Sequence, residues 1–368
     1  MQQSLPETLP QSADTYCGDR SLDSIQHAKP VSESKYHCQR FRFHGSASEY
    51  FGIWMVNMML TIVTLTLYSP WAKAKRMRYF YGNTQFLKYR FDFTALPSRI
   101  FWGRLFALEI YVVSLIFINY SLVGSEILFL IVCLVLPWLI RMTLKFRARN
   151  SKFGNTRFYF SGNHKEAYSA LFIAIVVNIF TLFIFFPVIL WLYRRYFFNH
   201  LHIGRLSFHL DLNWTKFMAA VYLPILVSFG IAFAWMVTAG YFNDHLGFNL
   251  FTASLILGYV SSLLIIYPWV VSRLFITTWN HVKVGQSYFK TTAKAWRYSW
   301  IVFSNLLLKI CSLGLLTPWA AIRLYAYQIQ SLQLFVAEED SHLEIVLQKE
   351  PAAMADELLD LFDFDASI

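Results

Sequence analysis

Seven apolar stretches, at about 51–68, 101–118, 127–144, 169–192, 217–240, 251–271 and 299–317, dominate this 368-residue chain. At 1.5 Å per residue, each is long enough to cross or nearly cross a hydrocarbon core of roughly 30 Å. Composition decides whether they are buried in a large soluble core or in lipid. Only 15% of residues are charged and 56% are hydrophobic, whereas soluble domains carry roughly 25% charged residues. Thirty-five Phe, 21 Tyr and 12 Trp also exclude disorder for the bulk of the chain. The expected fold is an all-α integral membrane protein of about seven apolar helices.

The net charge of +10 divides by position. Residues 337–368 carry ten acids against Lys349 alone, so this tail is near −9 and the rest of the chain near +19. Basic residues beside bilayer-length apolar runs report topology and lipid headgroups, so the expected partners are the bilayer and its anionic phospholipids, with no nucleic acid. Residues 1–40 are polar, without the apolar run of a cleaved signal peptide, and read as a disordered arm. That leaves a multi-pass membrane domain over 41–336 and an acidic C-terminal tail over 337–368. The four cysteines have no metal-site or redox spacing.

Internal similarity organises the membrane domain. Residues 41–93 align with 158–210 without gaps, with about 12 identities in 53 positions, among them Phe41/Phe158, Gly45/Gly162, Glu49/Glu166, Pro70/Pro187 and Tyr79/Tyr196. A third copy, near 289–335, matches through Tyr50/Tyr298, Asn57/Asn305, Pro70/Pro318 and Trp71/Trp319. Pro137-Trp138 leads to Gly154 and Phe158 at the same distances as Pro268-Trp269 leads to Gly285 and Phe289. Three repeat units are therefore expected. Each begins with a short alternating segment, such as Phe41-Arg42-Phe43-His44-Gly45, that reads as a strand at the unit boundary. An apolar helix follows, then a break at Ser69-Pro70 or Thr317-Pro318. Ser or Thr before Pro predicts an N-cap with proline at N1, so a second helix should run from Trp71 to about Gly82. There Lys73, Lys75, Arg76 and Arg78 alternate with Trp71, Met77, Tyr79 and Phe80, a pattern suited to a helix at headgroup level.

These residues, from Phe41-x-Phe43-x-Gly45 with Glu49 and Tyr50, through Tyr68-Ser69-Pro70-Trp71-Ala72-Lys73, to Arg78-Tyr79-Phe80-Tyr81-Gly82-Asn83-Thr84, resemble the YjgN family of bacterial inner-membrane proteins. The resemblance covers roughly residues 40–335. It implies an inner-membrane location and a multi-pass fold, and no activity. The second unit departs from the pattern, with Phe186 before its proline and Val188 after it.

Two topologies compete. Lys and Arg number about eight in 71–104, seven in 141–168, four in 192–216 and five in 272–298, with none in 119–126 or 241–250. Seven crossings would place two of the basic loops outside, against the positive-inside rule. If the three repeat-unit segments enter and return on the cytoplasmic side, every basic loop is cytoplasmic and four helices cross. Against this, Lys73 lies only three residues past Pro70, and a mid-bilayer lysine costs about 2.5–3.5 kcal/mol. Seven crossings are preferred on that ground. Both topologies place the C-terminus in the cytoplasm and differ on the N-terminus.

Polar groups inside apolar stretches are the candidates for function. Glu109 lies in the second stretch and Lys309 in the last. Lys309 aligns with Thr61 and Asn178, and Thr64, Thr181 and Ser312 align one helical turn on. With Asn57, Asn178 and Asn305, these could line a solute path; the competing reading is helix-to-helix hydrogen bonding. His200, His202, His209 and Asp211 invite a metal reading, but no second-shell pattern supports it, and no metal or cofactor is expected. Phosphate loops, nucleophile elbows and zinc-protease helices are absent from the sequence, so no enzymatic activity is expected. The leading expectation is a small-solute transporter or channel. The alternative is a non-catalytic membrane scaffold or envelope component whose acidic tail recruits a cytoplasmic partner.

Overall fold

The computed structural model describes residues 36–120, 122–241 and 248–337. The polar arm expected over 1–40 lies outside the described residues as far as 35, and its last residues belong to the first strand. The first unit sets the pattern for the others: β1 (Tyr36–Phe43) leads into the antiparallel helices α1 (Ala47–Val63) and α2 (Ser69–Gly82), which return the chain to β2 (Thr84–Phe86). A tight turn then gives β3 (Tyr89–Phe93), helices α3 (Pro97–Tyr120) and α4 (Leu122–Arg149), and β4 (Ser151–Phe153). The third unit is β5 (Thr156–Phe160), α5 (His164–Phe180), α6 (Pro187–Asn199) and β6 (Leu201–Ile203). The fourth is β7 (Leu206–Leu210), α7 (Trp214–Tyr241), α8 (Phe248–Trp279) and β8 (Val282–Val284). The last is β9 (Ser287–Thr291), α9 (Ala295–Cys311), α10 (Thr317–Ser331) and β10 (Leu332–Ala337).

The ten strands close into an antiparallel barrel, with β10 completing the ring against β1 through Tyr36↔Ala337 and Cys38↔Phe335. This overturns the expectation of an all-α protein of about seven helices. The boundary segments read as strands are strands, and their pairing across the whole chain makes a barrel that carries five helical hairpins. Five units, not three, share this arrangement, because the spacers anchored by Pro137 and Pro268 form units of their own with longer helices. The proline in each returning helix stands 16 residues before an inward strand residue: Pro70 before Phe86, Pro137 before Phe153, Pro187 before Ile203, Pro268 before Val284 and Pro318 before Leu334.

Period-two alternation sorts the barrel wall. Phe41, Phe91, Phe158, Phe208 and Phe289, one from each outgoing strand, point inward together with Phe86, Phe153, Ile203, Val284 and Leu334 from the returning strands. Phe41 lies 6.5 Å from Phe91 and 6.1 Å from Phe289, and Phe208 lies 6.5 Å from Phe289 and 6.3 Å from Phe158. Phe153 packs 4.7 Å from Phe91. Outward go Arg42, Arg90, Asp92, Tyr159, Ser207 and His209, all exposed. An eight-stranded barrel is just wide enough for its own side chains to fill; here phenylalanine fills ten strands.

Antiparallel order puts all tight turns at one end of the barrel and all helical hairpins at the other. Each turn has its first residue at positive φ, at Leu87 (54°), Gly154 (58°), Gly204 (54°) and Gly285 (57°), the position that a II′ hairpin turn reserves for glycine. At the helical end, five equivalent backbone bonds tie strand to helix foot: the N–H groups of His44, Thr94, Ser161, Asp211 and Thr292 donate to the carbonyls of Asn83, Asn150, His200, His281 and Ser331 at 2.9–3.0 Å. The helices form a ring in chain order, and α10 closes it against α1.

Three hairpins are short and two are long. In the short ones the chain reverses just before the proline, through Leu65-Thr66, Leu182-Phe183 and Leu313-Gly314, all at positive φ. A second helix follows each reversal, starting at Pro187 in α6 and one residue before the proline, at Ser69 and Thr317, in α2 and α10. The expected N-cap bond is absent, because Ser69 is engaged by Arg104 and the Thr317 hydroxyl donates to the Gly314 carbonyl at 2.6 Å. In α4 and α8 the proline is internal and the helix continues beyond it. Trp214–Thr238 and Ser254–Trp279, 25 and 26 residues, are long and apolar enough to cross a bilayer.

Candidate functional site

Apart from Glu109, the polar residues expected along a solute path sit in the short hairpins, where most of them bond backbone carbonyls. Thr64 and Ser312 donate to the carbonyls of Leu60 and Leu308 at 2.7 and 2.6 Å and accept from the N–H groups of Tyr68 and Leu316 at 3.0 and 3.1 Å. Thr181 donates to Val177 at 2.6 Å. Asn57, Asn178 and Asn305 are buried. The Asn178 amide donates to Ala174 at 2.7 Å, and that of Asn305 reaches across to Ala320 on α10 at 2.9 Å. Glu109 and Lys309 are exposed on α3 and α9, and no described ion pair joins them. None of these groups reaches the barrel interior, which the inward phenylalanines occupy.

The reversals themselves are chemically unusual. Leu65, Leu182 and Leu313 are 84%, 83% and 95% exposed, although they are leucines at the apex of an apolar turn. Every backbone N–H from Thr64 to Ser69, and from Ser312 to Thr317, is nevertheless hydrogen-bonded. Thr66 to Thr61, Phe183 to Asn178 and Gly314 to Lys309 are the six-to-one bonds of a Schellman motif, each 2.7 Å. An apolar apex with satisfied N–H groups suits hydrocarbon, where an unpaired backbone group costs several kcal/mol.

Cations begin three to seven residues on the barrel side of each proline: Lys73, Arg141, Arg194, Arg273 and Arg323. They define a belt above the barrel rim. Burial, then Arg104, Arg147 and Arg76, hold the Lys73 ammonium below its ordinary pKa, so four cations gather where α2, α3 and α4 meet. Trp71 stacks on Tyr68 and leans on Phe101, Lys75 lies over the Tyr68 ring at 5.7 Å, and Arg76 lies over Phe80 at 6.0 Å. Arg78, although exposed, is tied to the barrel rim, its Nε and Nη2 donating to the carbonyls of Phe93 and Ala95 at 3.3 and 2.9 Å. Arg194, which the repeat pattern did not single out, donates to Leu274 at 3.0 Å and to Thr278, with Phe217 beneath its guanidinium. Counting from the five prolines would have found it.

The histidine cluster disperses. His200 ends α6, where it pairs with Glu166 at 2.5 Å and contacts the Tyr196 carbonyl at 2.8 Å. His202 is on β6, bonded to Ser161 at 2.8 Å and stacked on Tyr159 at 4.7 Å; burial lowers its pKa, as does His200. Asp211 bonds Lys283 at 2.8 Å, which holds its carboxyl below the ordinary value. No group of three or more potential ligands gathers among the described residues. His209 and Asp211 do share a cleft of about 380 Å3 with Trp191, Arg195, Asn213 and Trp214, between α6 and the foot of α7.

A filled barrel that lifts apolar hairpins from one rim and belts them with cations defines a barrel-based protein with membrane-length helices. Residues 38–361 match the family described as bacterial proteins of unknown function, DUF898, and the chain belongs to that family. It is also similar to the inner membrane protein YjgN of Escherichia coli K12, with 31% identity over 140 residues, 38% of this chain and 35% of that one. The inner membrane protein YjgN of Salmonella typhimurium LT2 is 29% identical over 143 residues, 39% of this chain and 36% of that one. The matched stretch thus spans about a third of each of these relatives. No solved structure matches the chain.

Proposed function

We propose that this is a non-catalytic inner-membrane protein that seats a packed cytoplasmic barrel against the membrane. Its two long hairpins cross the bilayer and its three short hairpins dip into the cytoplasmic leaflet. The observation that carries this reading is the set of three exposed apolar reversals, each closed by a six-to-one backbone bond and two of them, at Leu65 and Leu313, with every N–H satisfied. From Lys73 back to Leu65 is eight residues, about 12 Å of helix rise, which is less than half of a core of roughly 30 Å. Lys73 therefore lies at headgroup depth, and the objection to re-entrant segments falls away. The relatives' names as inner membrane proteins support the location. The α3–α4 hairpin takes the role of α7–α8, being of similar build at 24 and 28 residues.

In this seating the exposed cations Lys73, Lys75 and Arg76 meet anionic phospholipid, and both ends of the described chain, Tyr36 and Ala337, lie side by side on the cytoplasmic end. The acidic tail follows Ala337 in the chain, its residues 338–368 lying outside the described ones, and its charge is the basis for proposing a cytoplasmic partner. Reporters active only in the cytoplasm or only in the periplasm, fused to residue 1 and to residue 368, test the seating. Cytoplasmic signals at both ends are expected; a periplasmic N-terminus would overturn it.

A further inference from the structure

One structural position is used differently in two units, and the difference opens a site. Arg78 and Arg195 both stand eight residues after their proline. In the first unit the Arg78 guanidinium, exposed as that of Arg195 is, is tied through Nε and Nη2 to the carbonyls of Phe93 and Ala95. The equivalents of those residues at the junction of the third and fourth units are Leu210 and Leu212. There the Leu212 carbonyl is taken by the indole Nε1 of Trp191, at 2.8 Å. Arg195 is thereby released. It lies exposed over the Trp191 ring at 5.2 Å and has no hydrogen bond or ion pair among the described residues.

The released cation faces the cleft of about 380 Å3 that also presents His209, Asp211 and Trp214, a volume in the range of small-ligand sites. Trp214 is the first residue of a helix long enough to span the bilayer, and it packs on Phe185 beside the apolar reversal of the neighbouring short hairpin. Two tryptophans at the foot of such a helix are the usual marker of the membrane-water interface. The ligand chemistry is therefore amphoteric and interfacial: a guanidinium for a phosphate, and a carboxylate with acceptor capacity beyond its single bond to Lys283.

We propose that this cleft binds the headgroup of an aminophospholipid, with the phosphodiester on Arg195 and His209 and the ammonium on Asp211. The proposal rests on the membrane seating of the barrel described above. A soluble phosphodiester with a primary amine shares the chemistry, and the interfacial position favours the lipid.

The test is binding to the full-length protein in detergent, read by native mass spectrometry, of dioctanoyl phosphatidylethanolamine, dioctanoyl phosphatidylcholine and soluble glycerophosphoethanolamine. Phosphatidylethanolamine is expected to bind at least tenfold more tightly than phosphatidylcholine, whose quaternary ammonium has no proton to donate. R195Q is expected to weaken that binding at least tenfold, while K88Q, at a hairpin turn on the far end of the barrel, leaves it unchanged. Equal loss in both variants, or none in either, overturns the site. Glycerophosphoethanolamine binding as tightly as the lipid overturns the lipid as its occupant. A periplasmic N-terminus in the reporter fusions would instead overturn the seating, so the two failures are distinct.

Discussion

The Tyr79 hydroxyl lies 2.9 Å from both the amide nitrogen and the carbonyl oxygen of Ser46, the residue that caps α1. It accepts from the Ser46 N–H, and its single proton serves the Ser46 carbonyl or the Glu49 carboxylate 3.0 Å away. The returning helix thus holds the start of the outgoing one. The same clamp recurs where Tyr196 donates to the Asn163 carbonyl at 3.2 Å and where the Lys294 N–H donates to Tyr327 at 3.2 Å.

Replacing these hydroxyls should loosen each short hairpin separately. Y79F, Y196F and Y327F are each expected to cost about 1 kcal/mol, the net value of a typical hydrogen bond. Their effects should add, since the clamps share no partner. Denaturant melts of the single and triple variants in detergent check both points.

Leu87 occupies a turn position filled by glycine at 154, 204 and 285, and carries a φ of 54°. A side chain in this region is strained by about 1–2 kcal/mol. L87G and L87A both give up the packing of the half-buried leucine against the core, so the strain shows in their difference. After the entropy that glycine adds to the unfolded chain, L87G should be more stable than L87A by about 0.5 kcal/mol. A lower midpoint for L87G than for L87A in chemical denaturation would refute the strain.

Gly258 marks the close approach of α8 to α7. A Cβ there would lie 2.3 Å from Cδ1 of Trp235, whose Nε1 donates to the Ser254 carbonyl at 2.6 Å. G258L must displace the indole and break that bond, at a cost of about 1–3 kcal/mol. Faster hydrogen exchange confined to α7 and α8 is the expected signature.

His202 should make the wall between β5 and β6 sensitive to acid. Its pKa in the folded protein lies below the ordinary 6.5, chiefly through burial and then through His200. The unfolded chain therefore takes up the proton first. The stability contributed by neutral His202 is present above about pH 6.5 and is lost as pH falls through the lowered value. Melting midpoints measured from pH 7.5 to 5 should fall for the wild type and fall less for H202Q.

The last strand ends at Ala337 and closes the barrel against β1. Truncation after Ala337 should leave the thermal midpoint unchanged and abolish any capture of a cytoplasmic partner. Truncation before Leu332 removes β10 and should prevent folding.

By itself the sequence determined the apolar segments, the proline breaks, the short alternating segments and the cationic positions, because each is a local property of composition or period. Phe41, Pro70 and Tyr79 recur at fixed spacing in the three short units, where phenylalanine precedes proline by 29 residues every time. The other two units were hidden, since Phe91 precedes Pro137 by 46 residues and Phe208 precedes Pro268 by 60, and an ungapped alignment cannot bridge those lengths. Strands of three residues, such as Thr84–Phe86, carry too little alternation to be read alone. Only the tertiary structure decided that these fragments join in a ring, because a strand is stabilised by partners that are distant in sequence, as Tyr36 is by Ala337. That closure turned the inward phenylalanines into a packed core, gave Thr64 and Ser312 backbone work within the reversals, and set Arg195 free where its counterpart Arg78 is bound.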